Sequence, residues 1–232
     1  MEKMIKSDAF LYETHLHTSQ SSKCASADAK TQVEFYKNLG YTGIIVTDHF
    51  LNGNTNVPKD LSWKERIDQF CLSYEIAVLE GNKIGLDVFF GWEFSYNGTD
   101  LLTYGLDKSW LLLHENIDRL RINEYCDLVH QYGGLIVHAH PFREASYIDY
   151  IRLFPSRTDA VEVYNANRSD FENKQALDYA NSYGLKQSSG SDNHTGFQKF
   201  YGGVSSPNRF NSINDFITFI LSGEASLLKI DE

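Results

Sequence analysis

Basic residues are the first thing this chain is short of. Its 21 lysines and arginines are outnumbered by 31 aspartates and glutamates, which leaves a net charge of −10 over 232 residues and a pI near 5.2. Affinity for nucleic-acid backbones comes mainly from Lys and Arg, so this balance argues against generic nucleic-acid binding, although a bound metal would add local positive charge that the sum omits. Cysteine is scarce as well. Cys24, Cys71 and Cys126 are an odd number, widely spaced, with no CxxC pair. That argues against a disulfide framework and for a reducing, cytoplasmic setting. No apolar run approaches the ~18 residues of a membrane span. Residues 1–8 lack the apolar core of a secretory leader. Repeats, linkers and low-complexity tracts are missing too.

The remainder suits a globular α/β protein. The chain is 42% hydrophobic, enough for a full core, and its length fits one domain. Short apolar runs alternate with helical patterns. Strands are expected at 9–17, 42–47, 87–94, 135–139, 160–164 and 185–189, with 101–106 pairing near the third and a short strand at 225–230. Helices are expected at 29–38, 61–84, 117–132, 171–183 and 213–221. In the longest, Trp63, Ile67, Phe70, Tyr74, Ala77 and Val78 recur at spacings of three and four and form one apolar face. Alternation without a composition break favours a parallel barrel, a single domain spanning 1–232. The segment 201–209 could add a strand near the barrel mouth.

In such a barrel, functional groups sit at the C-terminal ends of the strands. His15, His17, His49, His138, His140 and His194 all fall at or just past predicted strand ends, as do Glu93 and Asp192. His15 and His17 are two apart on a strand and point the same way. His49 follows the second strand, and Asp48 beside it either caps a turn or joins the site. A lone Glu93 is ordinarily just solvated, but a carboxylate can bridge two ions. Pro141 is expected to hold His140 extended. His138, two residues earlier, shares its face and is a ligand, a supporting partner or a packed core histidine. Gly190 and Ser191 permit a tight turn that aims Asp192 and His194 inward. Cys24 lies in the loop after the first pair and could reach the site. His114 and His130, in or beside helices, read as surface or packing residues, and Cys71 and Cys126 as core. Imidazole and carboxylate together suit Zn, Mn or Fe.

The motifs Glu13-Thr14-His15-Leu16-His17-Thr18, Ile45-Val46-Thr47-Asp48-His49, Gly91-Trp92-Glu93, Gly133 through Arg143 and Gly190-Ser191-Asp192-Asn193-His194-Thr195 resemble those of the PHP (polymerase and histidinol phosphatase) superfamily, in order, from residue 13 to 195. The resemblance implies a distorted (β/α)7 TIM-like barrel that hydrolyses phosphoesters with two or three divalent metal ions. It implies His15, His17, Glu93 and Asp192 on one ion, Glu93 bridging to a second that His140 also binds, and His49 and His194 on a third. Two family ligand positions differ, one falling on Ser22 and the other on Leu102. His138, Cys24 or water could take their place.

The reaction expected is attack by an activated water on phosphorus, with Glu93 and Asp192 at the metals and Arg143 holding a phosphate oxygen. Asn165 and Arg168 are further candidates for the mouth. The substrate would be a small phosphorylated molecule, a nucleotide or a short nucleic-acid end, with no membrane and no protein partner implied. Two other readings stand beside this one: a metal-dependent amide hydrolase on a similar barrel, and a non-catalytic metal-binding domain.

Overall fold

The computed structural model describes residues 9–231, so the leader expectation for 1–8 lies outside the described residues. Strand β1 (Phe10–Leu16) leads to helix α1 (Ala29–Leu39), then β2 (Gly43–Val46), the long α2 (Trp63–Ile84), β3 (Asp87–Tyr96) and β4 (Thr99–Tyr104). A short α3 (Lys108–Leu113), a 3-10 turn (Ile117–Arg119) and α4 (Ile122–Gln131) precede β5 (Leu135–Ala139). Next come β6 (Ala160–Asn165), α5 (Asp170–Tyr183) and β7 (Lys186–Gly190). The chain ends with β8 (Phe200–Tyr201), β9 (Val204–Ser206), α6 (Ile213–Ser222), β10 (Ser226–Leu227) and β11 (Ile230–Asp231). None of the described helices is long and apolar enough to cross a membrane.

Helix ends follow local chemistry. Asp28 caps α1 by accepting from the Thr31 amide at 2.7 Å, and Gly40 ends it in the left-handed region. Ser62 with Glu65, and Ser169 with Glu172, form capping boxes on α2 and α5. The expected single helix over 117–132 is broken, because Leu120 and Arg121 take extended backbone between the 3-10 turn and α4. Helix α3 was not anticipated.

Strands β1 to β7 lie side by side in chain order, and the sheet curls into a nearly closed, distorted TIM-like barrel. Closure joins the first strand to the last: Thr14 Oγ1 donates to the Ser189 carbonyl at 2.6 Å, and the Asp192 amide to the His15 carbonyl at 2.7 Å. The expectation of a parallel barrel needs one correction. β4 is antiparallel to both β3 and β5, because only the tight turn Asn97-Gly98, with both residues at positive φ, joins it to β3. The segment 201–209 does add a strand, but not at the mouth. β9 pairs antiparallel with Phe10, Leu11 and Tyr12, at the end of β1 away from its histidines. The expected strand at 225–230 is two short pieces, β10 on β9 and β11 on β8.

Inside the barrel, Tyr12, Ile45, Leu102, Tyr104, Val137, Ala139 and Ala160 form a core that α6 and Phe210 stop at one end. Phe210 stacks on Tyr12 at 4.2 Å, and Phe216 packs edge-on against Tyr104 at 5.0 Å. The other end remains open. Outside, α1 and α2 cover β1 and β2, while α2, α3 and α4 cover β3 and β4. At Gly203, φ is +125° and an added Cβ would lie 2.3 Å from the Tyr12 carbonyl oxygen. Replacing Gly203 with Ala should therefore cost about 2 kcal/mol or more in urea unfolding; an unchanged midpoint would show that β9 does not press against β1 in this way.

Candidate metal centre at the barrel mouth

Two local departures from regular strand geometry build the site. Tyr12 faces the barrel interior, yet Leu16, four residues on, packs against the outer helices. A register irregularity between Glu13 and Leu16 switches the phase of β1 and leaves His15 and His17 on the inner side. On β5, Val137 and Ala139 face inward and His138 outward. Strict alternation would send His140 outward as well. Instead its φ is +26°, not the extended backbone expected before Pro141, and the ring turns into the mouth. Asp192 also stands at positive φ, +54°. Strained backbone of this kind clusters where function holds it in place.

All seven sequence candidates for metal ligands meet here. Glu93 is the centre. Its Oε1 lies 3.1 Å from His140 Nε2 and 3.5 Å from His15 Nε2. Its Oε2 lies 3.6 Å from His17 Nε2 and 2.6 Å from His49 Nδ1. Asp192 Oδ1 is 3.2 Å from His17 Nε2, 3.6 Å from His15 Nε2 and 3.5 Å from His194 Nδ1. Glu93, His15 and His17 are fully buried.

The surrounding carboxylates decide which ring nitrogens face the centre. Glu162, buried on β6, takes the His15 Nδ1 proton at 2.9 Å. Its other oxygen accepts from the His140 amide at 3.0 Å and from Asn165 Nδ2 at 2.9 Å. Asp48 likewise acts one step back. It accepts from Thr18, Ser73 and the Ser22 hydroxyl, the last at 2.7 Å. With its only proton donated, Ser22 Oγ is left as acceptor from the His49 amide at 3.0 Å and from His17 Nδ1 at 3.2 Å. Both Nδ1 atoms thus carry protons, and the two Nε2 lone pairs face each other 3.2 Å apart. With both rings neutral, neither can donate to the other, an arrangement that suits a cation between them; without one, burial is outweighed by Glu162, Asp192 and Glu93, which hold His15 well above the usual histidine range.

The carboxylates of the cluster are held charged. Burial opposes the charge on Glu93, but His49, His140 and His15 outweigh it and hold the carboxyl well below its usual range. Burial likewise opposes charge on Asp192, which His15, His17 and His194 hold low. Burial, with His194 and His49 behind it, pushes His17 well down, toward a neutral ligand imidazole. Glu13, not singled out from sequence, is buried and pushed up to about 7 by burial against its bonds to the Ser191 hydroxyl and amide and the His15 amide. It ties the β1 motif to the turn after β7.

Several expectations change. His138 does not join the cluster. Its Nε2 meets Thr99 Oγ1 at 2.8 Å, its ring packs against Phe154 and Tyr179, and burial drives it down to about 3. Leu102 points into the barrel core, and the side chain of β4 nearest the centre is Asp100, grouped with Glu93 and His140. Asp100 takes up Arg143 through Nη2 at 2.8 Å, so Arg143 is not wholly free for phosphate; its Nε is buried without a partner. Asn165 supports Glu162, while Arg168 lines the mouth, also with an unpartnered Nε. His114 stacks on Trp110 and His130 pairs with Asp159, as packing and surface residues do. Cys71 and Cys126 are buried in the outer core, as expected. The missed Glu162 had one signal, a carboxylate inside the apolar run Ala160-Val161-Glu162-Val163-Tyr164.

His49 Nδ1 and Glu93 Oε2 test whether metal fits. They form a buried ion pair at 2.6 Å that lacks the alignment of a hydrogen bond. That close contact and the facing Nε2 pair suit divalent metal. Four overlapping groups could each hold an ion: His17, His49 and His194; His15, His140 and Asp192; His15, His17 and Glu93; Glu93, Asp100 and His140. Above them opens a cavity of about 580 Å³, lined by Arg143, Arg168, Asn167, Asn54 and Tyr147 as well as by ligand candidates.

No family model matches the chain, and no curated protein is similar to it. Solved structures are. A two-domain protein from Bacteroides vulgatus, described as containing a predicted PHP-like metal-dependent phosphoesterase, is similar over 98% of this chain and 68% of its own, with a TM-score of 0.74 at 14% identity. PsfC from Pseudomonas syringae is similar over 97% of this chain and 92% of its own, with a TM-score of 0.61 at 16% identity. A candidate metal-dependent phosphoesterase from Bifidobacterium adolescentis covers 91% of this chain and 96% of its own, with a TM-score of 0.57 at 15% identity. The barrel is the fold of these proteins, as the resemblance implied.

Outer-shell partners of metal-bound histidines typically carry 10–100-fold in affinity. Glu162→Gln should accordingly weaken zinc or manganese binding by about 10–100-fold in chelator competition. Undiminished affinity would mean that Glu162 does not orient His15.

Proposed function

We propose that this chain is a metal-dependent phosphoesterase of the PHP family, acting on a small phosphorylated molecule, a nucleotide or a short nucleic-acid end. Residues 1–232 form one such domain in this reading. The observation that carries it is Glu93, fully buried and met by four histidines between 2.6 and 3.6 Å. The donors fit two or three ions of Zn, Mn or Fe: His15, His17, Glu93 and Asp192 for one, Glu93 and His140 for a second, His49 and His194 for a third.

Divalent ions bound there supply Lewis acidity, which offsets phosphoryl charge and acidifies water near neutral pH. The chain's own residues do the rest. Glu162 fixes the His15 tautomer, and Asp48, through Ser22, fixes that of His17, so neither ring spends its inward nitrogen on a proton. Glu93 and Asp192 bring the negative charge that retains cations in an interior with few counter-charges. Arg143 and Arg168 stand on the cavity wall, where their guanidinium groups would donate to phosphate oxygens. Asp100 holds Arg143 through Nη2, so its guanidinium is oriented at the cavity wall. Phosphoryl transfer needs mainly this positioning and charge stabilisation. A cavity near 580 Å³ suits a small substrate or one chain end.

Replacing Glu93 with Gln should strip bound metal, read by elemental analysis, and lower p-nitrophenyl phosphate hydrolysis by at least about 100-fold. Hydrolysis at the wild-type rate sinks the mechanism. Removing metal with a chelator should abolish turnover, and adding it back should restore it. Arg168→Ala should raise KM about tenfold with less effect on kcat, the loss of one charge-assisted bond. Turnover of an anilide but no phosphate ester would favour the amide hydrolase, and firm metal binding with neither would favour a binding module.

A further inference from the structure

The metal-ligand candidates account for the floor of the cavity, but its wall carries side chains that the reading above does not use. Cys24 is exposed there and belongs to none of the four donor groups. Tyr147 is another. Among the described residues that line the cavity, it is the one ring that is not a histidine, and it is 67% exposed. The ring does not hang free. The guanidinium carbon of Arg143 lies 5.8 Å from its centroid, within cation–π range, and Asp100 on β4 holds the same guanidinium at 2.8 Å. Ile148, the next residue, packs over Gly98 in the β3–β4 turn, where an added Cβ would stand 3.2 Å from Ile148 Cγ1. Its amide closes a turn onto the Ala145 carbonyl at 2.9 Å. Arg152 fastens the far end of the same loop to the Asn97 carbonyl. A large, mostly apolar ring thus stands in water on an anchored loop. Arg143 also links it to the reacting centre. Its partner Asp100 shares a donor group with Glu93 and His140, whose ligand atoms lie within 4.8 Å of one another. A phosphate held there and by Arg143 would have Tyr147 as its neighbour on the wall, with the guanidinium between them.

We propose that Tyr147 is a specificity-determining residue that stacks on a planar ring of the substrate, so that the preferred phosphate esters carry an unsaturated ring a few bonds from the ester oxygen. The proposal rests on the phosphoesterase reading and narrows its substrate class. Tyr147 makes and breaks no bond in this role. Stacking needs only a π face, which a simple arene, an imidazole and every nucleobase offer alike. These sources differ in reach, because a ribose separates a nucleobase from its 5′-phosphate. A bound ring would also cover apolar surface of Tyr147 that now faces water. A saturated ring would gain that burial without the π contact.

Two pairs of esters with matched leaving groups test this on the metal-loaded, full-length protein. Benzyl phosphate and cyclohexylmethyl phosphate are both esters of primary alcohols and differ in whether the ring is planar. Adenosine 5′-monophosphate and ribose 5-phosphate differ in the base. The wild type should favour the planar member of at least one pair by about tenfold in kcat/KM, carried mainly by KM. A preference within the benzyl pair alone points to a ring close to the ester, and one within the adenosine pair to a nucleobase. Tyr147→Ala should bring the ratio close to one by raising KM for the planar member, and Tyr147→Phe should preserve it, because the ring and not the hydroxyl makes the contact. Calorimetric titration with the corresponding phosphonates, which lack the scissile bond, should show the same preference without turnover. A wild-type ratio near one in both pairs overturns the proposal. So does a ratio that survives Tyr147→Ala, and so does an equal loss on both members, since the tyrosine then only steadies Arg143. Phosphonate preference without hydrolysis of any ester leaves the stacking role standing and overturns the phosphoesterase reading. Neither preference nor hydrolysis overturns both.

Discussion

The structure turns on two imidazole nitrogens that face each other, buried below the open barrel mouth. His15 and His17 each use Nδ1 on an oxygen behind them, which leaves their Nε2 atoms 3.2 Å apart with nothing to share. Both rings are fully buried. Glu93 and Asp192 bring negative charge to the same point. Unpaired polar groups and like charges are expensive in a low-dielectric interior, so the arrangement suits cations among them. Glu162 and Asp48 are as necessary to this as the ligands themselves, because they decide which nitrogen carries the proton.

The barrel supplies the rigidity. Its lower end is stopped by Phe210 and Phe216 against Tyr12 and Tyr104, so the interior is filled below the site and open only above it. Glu13 and the hydrogen bonds between β1 and the turn after β7 join the first and last barrel strands. They hold Asp192 and His194 against His15 and His17, residues that lie far apart in the chain. The antiparallel β4 has a local effect of its own: it presents Asp100 to the mouth, where a parallel strand would need a longer connection.

The acidic character of the chain fits this centre. A net charge of −10 gives no general attraction to polyanions, and recognition of phosphate would fall to local groups. Arg143 and Arg168 stand at the cavity with unpartnered nitrogens, and the ligand set is built to hold cations between them and the barrel floor. On the proposed reading, selectivity would reside in the cavity wall, which Tyr147, Asn54 and Asn167 line, more than in the overall field.

The order of strands and helices, and the identity of the clustered histidines and acids, could be read from the sequence. Hydrophobic period and strand-terminal placement are local properties, and the barrel rule turns strand ends into one rim. Which way each side chain points was another matter. Alternation puts His138 and His140 on one face, yet a positive φ at His140 parts them and leaves His138 packed on Tyr179. A register irregularity in β1, invisible in the residue pattern, turns His15 and His17 inward. Asp48 and Ser22 in one case, and Glu162 in the other, gained their roles only when strands distant in the chain were brought side by side. Composition and periodicity determined the donors and the scaffold; backbone exceptions and long-range hydrogen bonds decided the centre, because side-chain direction and proton placement depend on neighbours that no local stretch of sequence contains.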